Sequence, residues 1–481
     1  MPPTRIESDR IEFGDFQTPV ELADRVCQLL SRLNLQPRSV VEPTCGEGTL
    51  LKAAVDALRP QQAIGLEINA SYVRRARRLL HGDATIRKAD FFAADWSKIL
   101  SSTESPLLVI GNPPWVTNSV LGSGQSDNLP TKSNLHEFRG IDAVTGKSNF
   151  DISEWMLIHL LESLAATSAT MAMLCKTAVA RKVLQFLWKH DIHAETAIYR
   201  IDAKHHFDAA VDACLFVVQC GAGSPGSQTC DIYESLESTK VASRYGYRDQ
   251  SLIADVDQYD RYRDWIGDSH RFRWRSGIKH DCSKVMELSE REGALYNGFG
   301  DRVEIETEIL FPLLKSSDVA GARTRRPKRW MIVPQTHVGE ETVDRLKSIA
   351  PRTLAYLKRH APLLEKRRST IYRDRPPFSI FGVGSYSFSK AKVAVSSLYK
   401  EIRFVSVGTY QGKPIVLDDT CYSVCCDSMK ESQLVAATMN SVEAKRLLSA
   451  FVFPDAKRTV TTGILQRLNL EKMLESQFQS T

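Results

Sequence analysis

The sequence lacks most of the features that mark membrane, secreted or metal-binding proteins. None of its apolar runs approaches the roughly 20 residues that a membrane-spanning helix requires, and residues 1–10 are polar and charged rather than typical of a secretory signal. The ten cysteines include no Cys-x-x-Cys pair, and reduced thiols are the default for cysteine in the cytosol. No internal repeat, low-complexity tract or nuclease motif is evident. We therefore expect a cytoplasmic protein that binds no metal and contacts no membrane.

Positive charge is distributed unevenly along the 481 residues, which carry a formal net charge of +6. Residues 1–250 contain 26 Lys and Arg against 29 Asp and Glu, whereas residues 251–481 contain 37 against 28. The surplus is concentrated in residues 321–400, with 18 basic and 5 acidic side chains. Such blocks are usually solvated surface. Their concentration in one half of the chain nevertheless favours a polyanion such as nucleic acid as the partner.

A short apolar strand followed by two prolines is the most informative stretch. Residues 107–110 read as a buried strand, and Asn-Pro-Pro-Trp follows at 112–115. Proline has no backbone N–H and cannot continue a ladder, so the strand must end there. Ligands bind at the carboxyl ends of the strands in an open α/β sheet. The side-chain oxygen of Asn112 and the carbonyl oxygen of Pro113 could together accept both hydrogens of an exocyclic amino group. The alternative is a plain strand exit.

Alternating strands and helices in the first half predict a doubly wound α/β sheet. Its first unit is a strand at 39–43, a glycine turn at 44–49 and a helix from about 50 to 58. The turn lacks the third glycine of the dinucleotide-binding pattern, so it is a weak signal by itself. The next strand, 63–67, ends in Glu67, whose carboxylate could accept both ribose hydroxyls of a nucleoside. The alternative is a helix-capping or surface carboxylate.

Composition also predicts the domain organisation. A run rich in glycine and serine at 221–227 is typical of a linker. We therefore predict a first domain at 1–220, a linker at 221–230 and a second domain at 231–481, with a helix at 353–366 in the second domain. At the other end of the chain, Thr18 is a good N-cap for the helix that follows it.

These segments together resemble the N6-adenine DNA methyltransferases of the γ order. In that family an N-terminal Gln-Thr-Pro segment precedes the S-adenosylmethionine region, the catalytic Asn-Pro-Pro-aromatic motif and a C-terminal target-recognition domain. The resemblance covers most of the chain and is specific over 16–115. Residues 310–319 look like a segment seen at the start of many such C-terminal domains. The sequence departs from the family at Trp115, where Tyr or Phe is more frequent, but an aromatic ring is retained.

The resemblance implies a role for each of several residues. Those implied to be catalytic are Asn112, Pro113, Pro114 and Trp115. Those implied to bind S-adenosylmethionine are Thr18, Glu42, Thr44, Gly46, Gly48, Glu67, Ile68, Asp90, Phe91 and Asn112. Trp115 and Phe207 would stack on a target base that has left the duplex. The basic residues expected to contact DNA are Arg323, Arg325, Arg326, Lys328 and Arg329.

The implied fold is a Rossmann-like class I methyltransferase sheet with a C-terminal mixed α+β target-recognition domain. The implied function is site-specific transfer of a methyl group from S-adenosylmethionine to N6 of a flipped-out adenine, in a restriction–modification or related defence system. Its partners would be duplex DNA and a separately encoded restriction endonuclease. Two alternatives stay open: an N-methyltransferase acting on RNA or on a protein glutamine side chain, and a non-catalytic DNA-specificity protein.

Overall fold

Residues 16–116, 151–165, 167–221, 228–453, 455–456 and 458–479 are described by this computed structural model. The chain folds into two compact units that divide between Asp257 and Gln258. Within the described ranges, no helix has both the length and the apolar character needed to cross a bilayer. In the same ranges, no group of three or more His, Cys, Asp or Glu side chains could hold a metal ion.

The first unit is built on a ten-stranded sheet whose order is β10-β9-β8-β6-β7-β5-β4-β1-β2-β3. Its strands are β1 (Ser39–Glu42), β2 (Gln62–Glu67), β3 (Thr85–Lys88), β4 (Leu107–Gly111), β5 (Ala169–Lys176), β6 (Ala194–Ile201), β7 (Ala213–Cys220), β8 (Thr229–Tyr233), β9 (Ser243–Arg248) and β10 (Ser251–Ile253). Strands β3, β2, β1, β4 and β5 are parallel, and β7 runs antiparallel between β5 and β6. The predicted α/β sheet is confirmed.

Helices bury both faces of this sheet. The helices of the first unit are α1 (Val20–Arg32), α2 (Thr49–Leu58), α3 (Ala70–Leu80), α4 (Trp96–Ser101), α5 (Ile152–Leu164), α6 (Thr177–Lys189) and α7 (Ala203–Phe207), and α8 (Val256–Arg261) crosses the boundary between the two units. Side chains of α1, α2 and α3 pack on one face in a single apolar cluster that includes Leu108, Ile110 and Leu174. Successive strand residues point to opposite faces, and Val109 and Met173 are also fully buried. The second face is therefore covered too, with α5 and α6 packed on β5.

The boundary between the compact units lies later in the chain than the predicted linker at 221–230. Residues 222–227 of that linker lie outside the described residues. Strands β8, β9 and β10 follow them and extend the first sheet, because β8 pairs in parallel with β6. The glycine-rich run thus connects two strands of one sheet rather than two domains. A linker and a long strand connection have the same composition, so composition could not distinguish them.

The start of α1 also differs from the prediction. The helix begins at Val20, and Pro19 occupies the N-cap position without a side-chain capping bond. The predicted capping role of Thr18 is therefore wrong. Its hydroxyl contacts Asn112 instead, which is a long-range contact that no local pattern reveals.

The second unit is mixed α+β, as predicted. Its strands are β11 (Arg275–Ser276), β12 (Glu287–Arg291), β13 (Ala294–Tyr296), β14 (Arg302–Val303), β15 (Leu310–Leu314), β16 (Arg329–Ile332), β17 (Lys392–Ser396), β18 (Phe404–Val407), β19 (Thr409–Tyr410), β20 (Lys413–Pro414), β21 (Val416–Leu417) and β22 (Cys421–Cys425). They form a six-stranded sheet, β14-β13-β12-β16-β15-β21, a four-stranded sheet, β11-β22-β17-β18, and the pair β19-β20.

The helices of the second unit are short. They are α9 (Ser283–Met286), α10 (Ser316–Ala320), α11 (Thr342–Ile349), α12 (Pro351–Arg359), α13 (Ala361–Glu365), α14 (Met429–Met439), α15 (Val442–Ser449), α16 (Thr462–Gln466) and α17 (Leu470–Gln479). The single helix predicted at 353–366 is wrong, because the chain breaks at His360 between α12 and α13. Pro362 follows, and its ring cannot be accommodated in the interior of a continuous helix.

Candidate active site

The turn between β1 and α2 depends on two glycines with positive φ. Gly46 has φ +50° and Gly48 has φ +89°, a region that residues with a Cβ rarely adopt. A Cβ on Gly46 would lie 2.4 Å from Oε1 of Gln17. That oxygen accepts a hydrogen bond of 3.1 Å from the backbone N–H of Glu47. The predicted glycine turn is therefore a closely packed backbone loop at the carboxyl end of β1.

Glu67 connects this turn to the end of β2. Its Oε2 accepts the backbone N–H of Gly46 at 2.9 Å, and its Oε1 accepts the backbone N–H of Asn69 at 2.7 Å. The carboxylate is buried. These two bonds fix the orientation of the carboxylate at the carboxyl end of β2. Glu67 thus holds the glycine turn against the end of β2. Its contact with a ribose remains a prediction.

Glu42, the last residue of β1, is 3 % exposed. Its Oε2 is buried without a hydrogen-bond partner. Burial raises the pKa of Glu42 well above its usual value, the neighbouring Glu67 carboxylate raises it further, and a backbone N–H bond from Leu51 opposes the shift. A buried acceptor without a donor is costly. The position is therefore suited to a ligand that donates a hydrogen bond.

Aromatic rings surround the predicted Asp90–Phe91 pair. The Phe91 ring is buried, with its centroid 4.7 Å from that of Trp96 and 6.2 Å from that of Trp155. Oδ1 of Asp90 accepts the backbone N–H of Phe92 at 2.9 Å. Ile68, by contrast, is 43 % exposed, which is high for an apolar side chain at the end of a sheet strand. The cofactor contacts of these residues, and of the half-buried Thr44, remain predictions.

The amide of Asn112 has a fixed orientation just beyond β4. Its Nδ2 donates to the Phe16 carbonyl at 2.8 Å and to the Thr18 hydroxyl at 3.3 Å. The Phe16 carbonyl can only accept, so the nitrogen must face it. Oδ1 of Asn112 is buried and has no hydrogen-bond partner. The structure therefore leaves the oxygen, and not the nitrogen, as the group that can meet a donor.

The two unpartnered oxygens lie at neighbouring strand ends. Among the described residues of the first unit, Oε2 of Glu42 and Oδ1 of Asn112 are the buried side-chain oxygens without a hydrogen-bond partner. Glu42 ends β1, and Asn112 follows β4, which pairs with β1 in parallel. Strand order reverses here, because β2 follows β1 on one side and β5 follows β4 on the other. Such a switch point is where open α/β sheets bind ligands.

The side chain of Trp115 is buried rather than exposed. Its side chain is 5 % exposed, and its indole N–H donates to the Leu174 carbonyl at 3.3 Å. The ring centroid lies 5.0 Å from that of Phe207 and 5.7 Å from that of Phe16. Phe207 is half-buried and is the more accessible of the two rings predicted to stack on a base. Stacking on Trp115 would require one of its neighbouring rings to move. Both stacking roles remain predictions.

Comparisons with known proteins identify the family. No family model matches the chain. The chain is 42% identical over 472 residues to the type II methyltransferase M.NspV of a Nostoc strain. The aligned region covers 97% of this chain and 98% of that protein. The chain belongs to the type II methyltransferases. A shorter stretch of 111 residues, 23% of this chain and 27% of the other, is 29% identical to the type II methyltransferase M.CvrRI of Paramecium bursaria Chlorella virus XZ-6E.

Comparison with solved structures supports the same fold. The solved structure of the type IIL restriction–modification enzyme MmeI in complex with DNA has a TM-score of 0.51 at 13% identity. The match covers 96% of this chain but only 65% of MmeI, so this type II methyltransferase spans about two thirds of that enzyme's length. At this identity the likeness concerns the fold alone. The predicted class I methyltransferase sheet with an additional C-terminal unit is confirmed.

Two residues of this type II methyltransferase contact the site although the sequence analysis assigned them no role. Gln17 holds the glycine turn through the Glu47 N–H. Lys176, at the end of β5, donates to the Trp115 carbonyl at 2.8 Å. The position of Gln17 beside Thr18 was a usable signal for the first residue. For Lys176 the signal was its position at the carboxyl end of a predicted strand.

The five predicted DNA-contacting residues separate into two groups in the second unit. Arg329 pairs with Asp318 at 3.1 Å, and Arg323 lies 3.9 Å from the same carboxylate. Arg325, Arg326 and Lys328 have exposed side chains, and no ion pair involves them within the described part of the chain. These last three are therefore the cations best placed to bind a polyanion. The DNA contacts of all five remain predictions.

We predict that Glu42→Gln stabilises the ligand-free protein at alkaline pH. Burial raises the folded-state pKa of Glu42 above the unfolded value of about 4.5. Its stabilising contribution is therefore complete below the unfolded pKa and is lost as the pH rises through the folded pKa. Glutamine cannot ionise, so the free energy of unfolding of the variant should exceed that of wild type increasingly as the pH rises above the unfolded pKa of about 4.5. Denaturant unfolding across this range measures the difference.

Glu47→Gln is the matched control for this prediction. Glu47 lies on the same turn, but its carboxylate pairs with Arg75 and is partly exposed. A pH-dependent gain of the same size in both variants would mean that the effect does not come from the burial of Glu42.

We also predict that Trp115→Ala lowers the free energy of unfolding by about 3–5 kcal/mol, the usual cost of truncating an enclosed large aromatic residue. Trp115→Phe should keep the ring packing and lose only the bond to Leu174, at about 1 kcal/mol. Trp155→Ala, at a half-buried aromatic residue of the same unit, is the comparison and should cost less. If Trp115→Ala unfolds at the same denaturant concentration as wild type, the ring is available for stacking rather than required for packing.

Proposed function

We propose that this protein transfers a methyl group from S-adenosylmethionine to N6 of an adenine in duplex DNA, as the modification enzyme of a restriction–modification system. The observation that carries the proposal is the buried, unpartnered Oδ1 of Asn112, held in place by the contacts of Nδ2 with Phe16 and Thr18. An exocyclic amino group would supply the missing donor.

The residues at the ends of β1 and β2 fit S-adenosylmethionine. The unpartnered Oε2 of Glu42 would accept a hydrogen bond from it, and the oxygens of Glu67 would accept from its ribose hydroxyls. The backbone at Gly46 and Gly48 would allow close approach. When bound, the cofactor supplies an electrophilic methyl group on a sulfonium. All other contributions come from the side chains and the backbone of the chain itself.

The amino nitrogen is the difficult part of the reaction. The lone pair of adenine N6 is delocalised into the ring, so the free base is a poor nucleophile. Acceptors at Oδ1 of Asn112 and at the Pro113 carbonyl would hold both amino hydrogens and favour a pyramidal nitrogen with a directed lone pair. The nitrogen gains the methyl group as the methyl–sulfur bond breaks, and it releases one proton to water. Catalysis would therefore rest on positioning and on fixed dipoles, with the base extruded from the duplex.

A covalent mechanism is not needed. Cys45, the cysteine of the glycine turn, is buried, and burial raises the pKa of its thiol far above the usual range. A thiol of this kind is a poor nucleophile. This favours direct transfer to an exocyclic amino group. The acceptor pair would also suit the amino group of cytosine, and the resemblance to N6-adenine enzymes is what favours adenine.

The family and the charge distribution support DNA as the substrate. The relative M.NspV is a type II methyltransferase, and MmeI was solved in complex with DNA. The exposed Arg325, Arg326 and Lys328 offer phosphate contacts. We do not favour a non-catalytic specificity protein, because the Asn-Pro-Pro-aromatic motif at 112–115 is present in full. RNA and protein glutamine remain the alternatives to exclude.

The decisive test is to identify the methylated product. The purified protein is incubated with tritiated S-adenosylmethionine and, separately, with duplex DNA, with RNA and with glutamine-containing peptide. The DNA is then digested to nucleosides. Label in N6-methyladenine supports the proposal. Label in N4-methylcytosine, in RNA or in peptide would contradict it and would identify the correct acceptor.

We predict that Asn112→Ala lowers the turnover number by about 100- to 1,000-fold, the usual effect of removing one oriented transition-state group. Cofactor affinity should stay within a few-fold of wild type, since the amide of Asn112 is held by Phe16 and Thr18; a larger loss of affinity would instead support the cofactor contact that the resemblance implies for Asn112. Single-turnover methylation and calorimetry measure the two quantities. Turnover near the wild-type value would exclude Asn112 as the acceptor.

We further predict that Arg325→Ala with Arg326→Ala flattens the dependence of log K for DNA on log salt by about 0.9 per lost phosphate contact. The matched control replaces Arg74 and Arg78, two exposed arginines of α3, and removes the same charge from the first unit. Filter binding over a salt series measures both slopes. Equal slopes for the two double variants would show that the 325–326 pair acts only through net charge.

A further inference from the structure

The Asn-Pro-Pro-Trp turn has few backbone donors with which to hold itself against the sheet. Strand β4 pairs with β5 up to Gly111, which is opposite Met173. Asn112 follows with a backbone N–H, but Pro113 and Pro114 have none. Beyond Asn112, groups from other parts of the chain must therefore hold the turn in place.

Strand β5 supplies two such bonds, and both go to Trp115. The indole N–H donates to the Leu174 carbonyl at 3.3 Å, and the Trp115 carbonyl accepts from the ammonium group of Lys176 at 2.8 Å. The second bond is charge-assisted and therefore the stronger of the two. It acts on the backbone of the turn and not only on a side chain.

The ammonium group of Lys176 is itself held in place. It lies 2.6 Å from Oδ2 of Asp151, whose side chain is 8 % exposed. Oδ1 of Asp151 accepts the backbone N–H of Ser153 at 3.2 Å and its hydroxyl at 2.6 Å, at the start of α5. Next to this pair, the backbone N–H of Ile152 donates to the Val116 carbonyl at 3.0 Å. One cation thus ties together the end of β5, the start of α5 and the end of the turn.

We propose that Lys176 is a positioning residue of the methyltransferase site, fixing the turn so that Asn112 and Pro113 meet the amino group at the reacting geometry. The two prolines have fixed φ, so a displacement of Trp115 is transmitted along a stiff segment to Asn112. A misplacement of about 1 Å can reduce a rate by about 100-fold. The inference rests on the proposed methyl transfer.

The chain offers a matched control in Lys182. Its ammonium group lies 2.6 Å from Oε2 of Glu154, whose side chain is 1 % exposed. This ion pair also connects α5 to the segment that follows β5, and it has the same length. It makes no contact with the turn. Lys182→Met therefore removes an equivalent ion pair while leaving the turn untouched.

The experiment measures the turnover number, the KM for DNA, the dissociation constant for S-adenosylmethionine and the unfolding midpoint of each variant. For Lys176→Met we expect turnover to fall by about 10- to 100-fold, with the cofactor dissociation constant and the KM for DNA within about 3-fold of wild type. Lys182→Met should keep turnover within about 3-fold. Lys176→Arg, which retains a cationic donor, should recover most of the loss.

A second readout does not depend on activity. Hydrogen–deuterium exchange in a peptide covering 107–116 should be faster in Lys176→Met than in wild type or in Lys182→Met. If Lys176→Met does not fold, Asp151→Asn decides the question, because it preserves the side-chain shape and removes the anion that orients the ammonium group. Its turnover should fall by about 10-fold with unchanged cofactor binding.

Two results would overturn the inference. One is wild-type turnover in Lys176→Met or, if that variant is unfolded, in Asp151→Asn. The other is an equal loss in Lys176→Met and Lys182→Met, which would indicate general destabilisation. Failure of the proposed function is distinguishable from both, because the wild-type protein would then methylate no adenine at all.

Discussion

Asn112 can present an acceptor only because its amide nitrogen is already bound. The Phe16 carbonyl and the Thr18 hydroxyl occupy the two amide hydrogens, and a flipped amide would set its oxygen against a carbonyl. The other contacts of the turn also hold Asn112 in position. Strand β4 brings Asn112 to the carboxyl end of the sheet, and Leu174 and Lys176 of β5 bind Trp115 at the end of the turn. Without these contacts, the amide of Asn112 could rotate and form hydrogen bonds with neighbouring groups, and its oxygen would no longer have a fixed orientation.

Residues 16–18 join the two halves of this site. The carbonyl of Phe16 and the hydroxyl of Thr18 orient Asn112, while the amide oxygen of Gln17 holds the glycine turn through the Glu47 N–H. Three consecutive residues thus contact both Asn112 and the glycine turn. A shift of the glycine turn would therefore be transmitted to Asn112 through them.

Local patterns predicted the parts of the structure that local forces determine. The strands ending in Glu42, Glu67 and Gly111, the glycine turn and the exit at the two prolines follow from hydrophobic runs and backbone restrictions. Contacts between distant segments were not accessible in this way. The hydroxyl of Thr18 was predicted to cap a helix but contacts Asn112, and the ion pair between Arg329 and Asp318 could not be predicted from a local pattern. Strands β8 to β10 were missed as part of the first sheet because pairing of β8 with β6 depends on the whole topology.

Two buried oxygens without a hydrogen-bond partner distinguish the site as clearly as its position at the carboxyl ends of the strands does. A folded chain satisfies nearly all of its buried polar atoms, yet Oε2 of Glu42 and Oδ1 of Asn112 are left unpartnered at the ends of two adjacent strands. An unpartnered buried oxygen lowers the stability of the ligand-free protein. Retaining both is understandable if each is satisfied by a bound group, the first by the cofactor and the second by the amino group that receives the methyl.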